Sequence, residues 1–227
     1  MRIAFLLYDQ LTQLDMTGPA QVLSRMPGAS VDYVAKTMDP VMSDCQLALM
    51  PTLTLAESGQ FDLLCVPGGY GCSAVMNDEE TLGWLRRQAP GLKWLTSVCT
   101  GSLILAAAGL LKGRRAACHW AWGDYLPLFD AEFVAERTVF DGNIITAGGV
   151  TSGIDFAFRV LDHLHGPDVA AIIRLALEYD PESHEGGTPA SARPDIVANV
   201  RAITAQRLGH RDAEMRAAAA RLKGENP

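Results

Sequence analysis

The chain has 227 residues, 48% of them hydrophobic and 20% charged, so it can bury a substantial core as one large domain. The formal net charge of -7 argues against a general nucleic-acid binder, because phosphate contacts require clustered cations. No apolar run reaches the length of a membrane span, and the first residues lack the apolar segment of a secretory signal. We therefore expect a cytoplasmic protein with no membrane partner.

The cysteines are scattered along the sequence and include no CxxC pair. Their positions are Cys45, Cys65, Cys72, Cys99 and Cys118. An odd number at these spacings predicts neither a disulfide framework nor a zinc site, so we expect reduced thiols.

Apolar runs bounded by turn residues alternate with helical stretches, which predicts an α/β fold with a doubly wound, mostly parallel sheet and helices on both faces. The predicted strands are residues 3–8, 31–35, 61–66, 94–98 and 144–147. The predicted helices are residues 18–25, 78–88, 100–111, 152–165 and 167–178. The Asp141-Gly142 pair between residues 134–140 and 143–147 predicts a hairpin, so one edge of the sheet should be antiparallel.

The composition changes near the carboxyl terminus. Residues 180–194 are rich in proline, glycine, serine and acidic residues, which predicts either a long ordered loop or a mobile flap. One final helix is predicted from Pro194 to about Leu222. Its arginines at positions 201, 207, 211, 216 and 221 are better explained as a solvated helix face than as a basic docking stripe.

The segment Ser97-Val98-Cys99-Thr100-Gly101 lies where a predicted buried strand turns abruptly into a small-residue helix. Such a corner presents the cysteine at the carboxyl end of the sheet and directs a helix amino terminus at its sulfur. We therefore predict a nucleophilic Cys99 whose thiol pKa is lowered from about 8.5 to about 6. The alternative is a buried cysteine that is present for its size.

Two other turns follow strands at the same edge of the predicted sheet, where ligands bind in open α/β folds. Gly68 and Gly69 either expose backbone N–H groups that hold a developing negative charge, together with amides near Thr100, or form a tight turn with positive φ. Asp15 precedes a predicted helix and is either its N-cap or a general acid/base that shares a proton with the sulfur. Thr100 is either the first helical residue or a hydroxyl donor to substrate.

Four motifs occur in a specific order along the chain. They are Asp15-x-x-Gly18-Pro19, Pro67-Gly68-Gly69, Ser97-Val98-Cys99-Thr100-Gly101 and Thr146-Ala147-Gly148-Gly149-Val150-Thr151-Ser152-Gly153-Ile154-Asp155. In this order they resemble the DJ-1/PfpI superfamily, over residues 3 to about 179. Within it, the sequence is most similar to the isocyanide hydratase group, in which the acid near the nucleophile is aspartate and threonine follows the cysteine.

The resemblance implies a flavodoxin-like fold and a homodimer with active sites near the interface, with no metal and no organic cofactor. It implies that isocyanides are hydrated to N-substituted formamides through a thioimidate on Cys99, with Asp15 as general acid/base and Thr100 as a further catalytic residue. Residues 1–179 would form the catalytic domain, and residues 180–227 would pack on it as a loop and a helix.

The same resemblance suggests which groups form the substrate pocket. Backbone groups of Gly69 and Val150 would supply its polarity, with Tyr70 and Gly149 beside them, and apolar residues of the partner subunit would seat the substituent R. Residues 180–185 depart from the proline- and aromatic-rich loop usual in this group, so the substrate range stays open.

Three other functions are compatible with parts of the sequence. A glyoxalase or deglycase would use the same cysteine on aldehydes, but normally with glutamate and often a nearby histidine. A sensor domain of an AraC-type regulator would need more than the one helix predicted after Pro194. Oxidation of Cys99 to a sulfinate could coexist with catalysis. His119 is interpreted as a packed structural histidine rather than a base, and Cys72 as structural.

Overall fold

The fold alternates strands and helices in a computed structural model that describes residues 1–209 and 211–224. Within these residues the strands are β1 (Arg2–Leu6), β2 (Ser30–Ala35), β3 (Val41–Met42), β4 (Ala48–Leu49), β5 (Leu53–Thr54), β6 (Leu63–Val66), β7 (Trp94–Val98), β8 (Arg115–Ala116), β9 (Glu132–Phe133), β10 (Thr138–Asp141) and β11 (Ile144–Ala147). The helices are α1 (Gln13–Leu23), α2 (Cys72–Val75), α3 (Glu79–Gln88), α4 (Gly101–Ala107), α5 (Ser152–His165), α6 (Pro167–Ala176), α7 (Pro194–Leu208) and α8 (Arg211–Lys223). Two 3-10 helices span Ala89–Gly91 and Gly123–Phe129.

A seven-stranded sheet in the order β10-β11-β7-β6-β1-β2-β5 forms the centre of the fold. All its neighbouring strands are parallel except β10 and β11, which form the hairpin around Gly142. Strand β6 is buried along its whole length and β7 along all but its first residue, because both faces of a doubly wound sheet are covered. The predicted mostly parallel sheet and its antiparallel edge are confirmed.

The helices fall into two packed groups that cover the sheet. Helix α1 packs on α5, which in turn packs on α6, whereas α4 contacts α2, α3 and α8. The carboxyl ends of β1, β6 and β7 are thereby left at one edge, where the turns that follow them meet. No helix in residues 1–209 and 211–224 combines the length and apolar character needed to cross a membrane.

Three helix predictions are wrong, and one of them is the helix expected over residues 100–111, which ends at Ala107 before Gly109, a residue with a φ of 79°. Helix α1 begins at Gln13 rather than at residue 18, so Asp15 lies in its first turn and Thr12 occupies the N-cap position. The single helix predicted from residue 194 to about 222 is instead α7 and α8. Gly209 follows α7, and the low helix propensity of glycine favours a break at this position.

Helix α8 is attached to the body of the protein by its buried side chains Met215, Ala218 and Ala219. Arg221 donates hydrogen bonds to the carbonyl of Met76 and to the side chain of Asn77. The arginines of this region are therefore not only a solvated face. Arg201 and Arg211 lie over aromatic rings and Arg216 pairs with Asp212, whereas the side chain of Arg207 lies outside the described part.

Candidate active site

Cys99 forms the predicted corner between β7 and α4. Its φ of 60° lies in the left-handed region, which costs a residue with a Cβ about 1–3 kcal/mol. The Cys99 N–H donates to the carbonyls of Ala147 at 3.1 Å and Gly148 at 2.8 Å, so the end of β11 holds the strained backbone in place. The predicted strand-to-helix elbow is confirmed.

Two glycines allow the turn after β6 to lie against this elbow. A Cβ on Gly101 would lie 2.0 Å from the carbonyl oxygen of Val66, and a Cβ on Gly68 would lie 2.5 Å from the backbone nitrogen of Thr100. Real Cβ atoms do not approach backbone this closely. Glycine is therefore required at both positions for the two turns to meet.

Asp15 is fully buried beside this elbow. Its Oδ2 accepts a hydrogen bond from the Gly68 N–H at 2.9 Å, while no group in the described residues completes a hydrogen bond to Oδ1. Burial raises the pKa of the Asp15 carboxyl from 3.8 to about 7, although interactions with Gly68 and with the Cys99 side chain partly offset this rise. The alternative role of Asp15 as a helix N-cap is wrong.

The Cys99 thiol shares this low-polarity environment, with only 5% of the residue exposed. Burial and the negative charge of Asp15 raise the pKa of the thiol well above its usual value, and the Thr100 N–H only partly opposes them. The predicted lowering of this pKa to about 6 is therefore wrong, because desolvation outweighs the terminus of the seven-residue helix α4. The raised pKa values of both groups support the expectation that the pair retains one proton.

The N–H groups of Gly68 and Gly69 already have partners. Gly68 donates to Asp15, and Gly69 donates to the Thr100 hydroxyl oxygen at 3.0 Å. The prediction that these two amides stabilise a negative charge on substrate is thus not supported. Gly69 has a φ of 138°, as the alternative of a tight turn requires, and the Thr100 hydroxyl connects this turn to the elbow.

A cavity of about 350 Å³ opens above Cys99. It is lined by Thr12, Asp44, Gly69, Tyr70, Cys99, Thr100, His119, Trp122, Val150, Val200, Ile203 and Thr204. The structure therefore brings Gly69, Tyr70, Cys99, Thr100 and Val150 together, as predicted. Asp15 is buried outside the cavity wall, and Gly149 lies against the ring of His119 rather than on the wall itself.

Sequence reasoning missed several groups that line the cavity. Asp44 faces it and accepts a hydrogen bond from the Thr12 hydroxyl at 2.6 Å. His119 lines it as well, so its interpretation as a purely packed residue is incomplete. The His119 Nδ1 accepts from the Ala121 N–H, and burial lowers the pKa of the imidazole, so the ring is neutral with its proton on Nε2. In the sequence, only the aromatic residues around His119 could have indicated that this part of the chain lines the cavity.

A larger cavity of about 460 Å³ lies beyond the ends of β1 and β2. Tyr70 lines both cavities, but Cys99 contributes only to the smaller one. Because a reaction on the sulfur has to take place where the sulfur is accessible, the smaller cavity is the candidate active site.

The fold and the site define a class of flavodoxin-like proteins that carry a cysteine at a strand-to-helix elbow. Residues 1–163 match the DJ-1/PfpI family, and the chain belongs to this family. The resemblance noted in the sequence is thereby confirmed.

Individual relatives extend this match along the whole chain. An isonitrile hydratase of Pseudomonas putida is 45% identical over 223 residues, which cover 98% of this chain and 98% of its own. A ThiJ/PfpI family protein from Pseudomonas syringae is similar in structure with a TM-score of 0.88 and 38% identity, over 96% of this chain and 90% of that one. A glutathione-independent glyoxalase of Caenorhabditis elegans is 24% identical over 62% of this chain and 76% of its own.

Proposed function

We propose that this protein is an enzyme that hydrates isocyanides, R–N≡C, to N-substituted formamides. The observation that carries the proposal is the Cys99 sulfur at the edge of a largely apolar cavity, paired with the buried carboxyl of Asp15. The relative from Pseudomonas putida supports the substrate class, since isonitrile is a synonym of isocyanide and the match extends over nearly all of both chains.

In the first step the sulfur forms a bond to the terminal carbon of the isocyanide. Cys99 retains some exposed surface and Asp15 retains none, so the sulfur is the member of the pair that meets the substrate. The proton that the pair holds is transferred to the same carbon, which gives the thioimidate R–N=CH–S and leaves Asp15 ionised. The raised pKa of Asp15 suits this role, because a carboxyl with a pKa of about 7 can donate and accept a proton near neutrality.

In the second step water adds across the C=N bond of the thioimidate. Asp15 accepts a proton from the water as the water oxygen attacks the carbon, and Asp15 then delivers this proton to the substrate nitrogen. Collapse of the adduct breaks the carbon–sulfur bond, releases R–NH–CHO and returns one proton to the Cys99 and Asp15 pair. The Thr100 hydroxyl supports this geometry by holding the Gly69 turn beside the elbow.

We also propose that the protein acts as a homodimer. Ile172 and Leu175 on α6 are 67% and 84% exposed, and a second copy of the chain would remove this apolar surface from water. Light scattering on the purified protein measures the mass directly. A monomer at every concentration would contradict this part of the proposal.

The test of the activity follows formamide production from an aryl isocyanide by the purified protein. Cys99→Ala should abolish turnover while the circular dichroism spectrum stays unchanged, and Asp15→Asn should lower kcat by about 100-fold or more, as expected for loss of a general acid/base. Cys45→Ala is the matched control, since Cys45 is exposed and lies outside the cavity.

Methylglyoxal is assayed in parallel as the substrate of the competing aldehyde reaction. Turnover of methylglyoxal without turnover of any isocyanide would overturn the proposal in favour of a glyoxalase. A Cys99→Ala variant that keeps an appreciable rate would rule out covalent catalysis by this sulfur.

A further inference from the structure

We propose that α7 determines which isocyanides are accepted, because one face of this helix forms the apolar wall of the cavity above Cys99. This inference rests on the proposed function for the identity of the substrate. The residues concerned belong to the same chain as Cys99, whereas the family resemblance implied that residues of the partner subunit seat the substituent.

Among the side chains of α7 that the structure describes, three line the cavity: Val200, Ile203 and Thr204. Their spacing of three and four residues places them on one face of the helix. Val200 is 37% exposed and Ile203 is 44% exposed, although both are large apolar side chains. An apolar group in the cavity would cover this surface, and its removal from water would favour binding.

The polarity of the cavity is unevenly distributed. The Thr12 and Asp44 pair and the Thr100 hydroxyl lie among its lining groups, whereas α7 and Trp122 contribute mainly apolar atoms. An isocyanide has the same division, with a small reactive N≡C group and an apolar substituent R. When the carbon meets Cys99, α7 is an apolar surface available to R.

None of the described side chains of α7 is fully buried, so the helix lies on the surface of the protein. On another side it faces a third cavity, of about 370 Å³, which Arg201, Thr204 and Ala205 line together with Tyr125 and Leu128. The Arg201 guanidinium lies 5.4 Å from the centroid of the Trp120 ring and so provides one attachment. A changed side chain on α7 can therefore alter the shape of the active-site cavity without disturbing the packed core.

The test compares Ile203→Trp with Ile196→Trp, using methyl isocyanide and cyclohexyl isocyanide as substrates. Ile196 is the matched control, because it is on the same helix, is 45% exposed and does not line the cavity. Ile203→Trp should lower kcat/KM for the cyclohexyl compound by about tenfold or more and change that for the methyl compound by less than about threefold. Ile196→Trp should change neither.

A second measurement does not depend on hydratase activity. Alkylation of Cys99 by iodoacetamide and by N-benzyliodoacetamide is followed by mass spectrometry of the peptide that contains Cys99, since the exposed Cys45 would also react. Ile203→Trp should slow the benzyl reagent at least about fivefold more than the small one, because only the larger group needs the space in front of α7.

These measurements separate the two proposals. The role of α7 is overturned if Ile203→Trp changes neither the preference between the two isocyanides nor the preference between the two alkylating reagents. It is also overturned if Ile196→Trp has the same effect as Ile203→Trp. If the wild type hydrates no isocyanide but Ile203→Trp still discriminates between the two alkylating reagents, the proposed function fails and α7 remains the element that selects groups by size at Cys99.

Discussion

The proton shared by Cys99 and Asp15 is the main chemical feature at the residue scale. Burial disfavours the charged form of each group, and the charge of Asp15 raises the pKa of the Cys99 thiol further. One proton therefore stays with the pair at neutral pH, and a substrate that takes up a proton as it reacts with the sulfur can use it directly. The same arrangement has a measurable cost in stability.

Asp15→Asn should stabilise the protein more at pH 7.5 than at pH 5. The pKa of Asp15 is about 7 in the folded protein and 3.8 when unperturbed, so the folded state holds the extra proton between these values and loses stability as the pH rises. The free energy of unfolding that the wild type loses over this whole pH range is about 4 kcal/mol, of which about 2–3 kcal/mol is lost between pH 5 and pH 7. Urea unfolding of wild type and variant across this range measures the difference.

Asp141→Asn is the matched control for this experiment. The backbone N–H of Arg115 and the Arg114 guanidinium lower the pKa of Asp141, so this carboxyl is ionised in both states above pH 5. The difference in free energy of unfolding between Asp141→Asn and the wild type should stay constant over the pH range in which the difference between Asp15→Asn and the wild type grows. A constant difference for Asp15→Asn as well would show that the buried carboxyl does not titrate as stated.

Sequence patterns identified the reactive residues better than their electrostatics. Cys99, Thr100 and Gly69 belong to short motifs, and the structure places them together. The direction of the Cys99 pKa shift was not predictable from the motif, because it depends on how deeply the fold buries the sulfur beside Asp15. Asp44 gave no signal, since only the folded chain brings it next to Thr12.

At the scale of elements, the site depends on how closely β6 and α4 approach each other. Hydrophobic periodicity predicted these elements, because both are buried apolar segments. Their spacing depends on Gly101, whose Cα faces the carbonyl of Val66. The start of α1 was placed too late, since the apolar pattern does not separate its first turn from the preceding loop.

Gly101→Ala should lower the free energy of unfolding by about 1–3 kcal/mol, because the added methyl group would overlap backbone that cannot move independently. The relevant distance is 2.0 Å from the new Cβ to the Val66 carbonyl oxygen. Gly187→Ala is the control, since nothing lies within 4 Å of a Cβ there. Equal urea midpoints for the two variants would mean that the elbow tolerates a wider separation of β6 and α4.

At the scale of the whole molecule, the question is whether the carboxyl-terminal helices belong to the same folding unit as the sheet. Composition indicated the loop that precedes α7, and residues 180–193 indeed contain no helix or strand. The division of the final segment into α7 and α8 was missed, because the apolar residues of α7 are only partly buried and their pattern is weak. We propose that residues 180–227 fold together with residues 1–179 as one unit.

Met215→Ala should then destabilise the entire protein and not only its last helix. Met215 is fully buried on α8, which contacts α2, α4 and the 3-10 helix Gly123–Phe129, so removing its side chain leaves a cavity at the junction. The expected loss is about 2–5 kcal/mol in the free energy of unfolding. Met50→Ala is the matched control, because Met50 is 61% exposed, and its effect should stay within about 0.5 kcal/mol.

Two probes measured in the same urea titration distinguish one unit from two. Circular dichroism at 222 nm reports on all helices, while the fluorescence of the tryptophans reports on the body of the protein, where Trp84 is buried in α3. In one cooperative unit, Met215→Ala shifts both transitions to the same lower urea concentration. If only the helical signal shifts and the fluorescence transition stays at its wild-type midpoint, α8 unfolds independently, and the carboxyl-terminal helices are an appendage of the sheet domain rather than part of it.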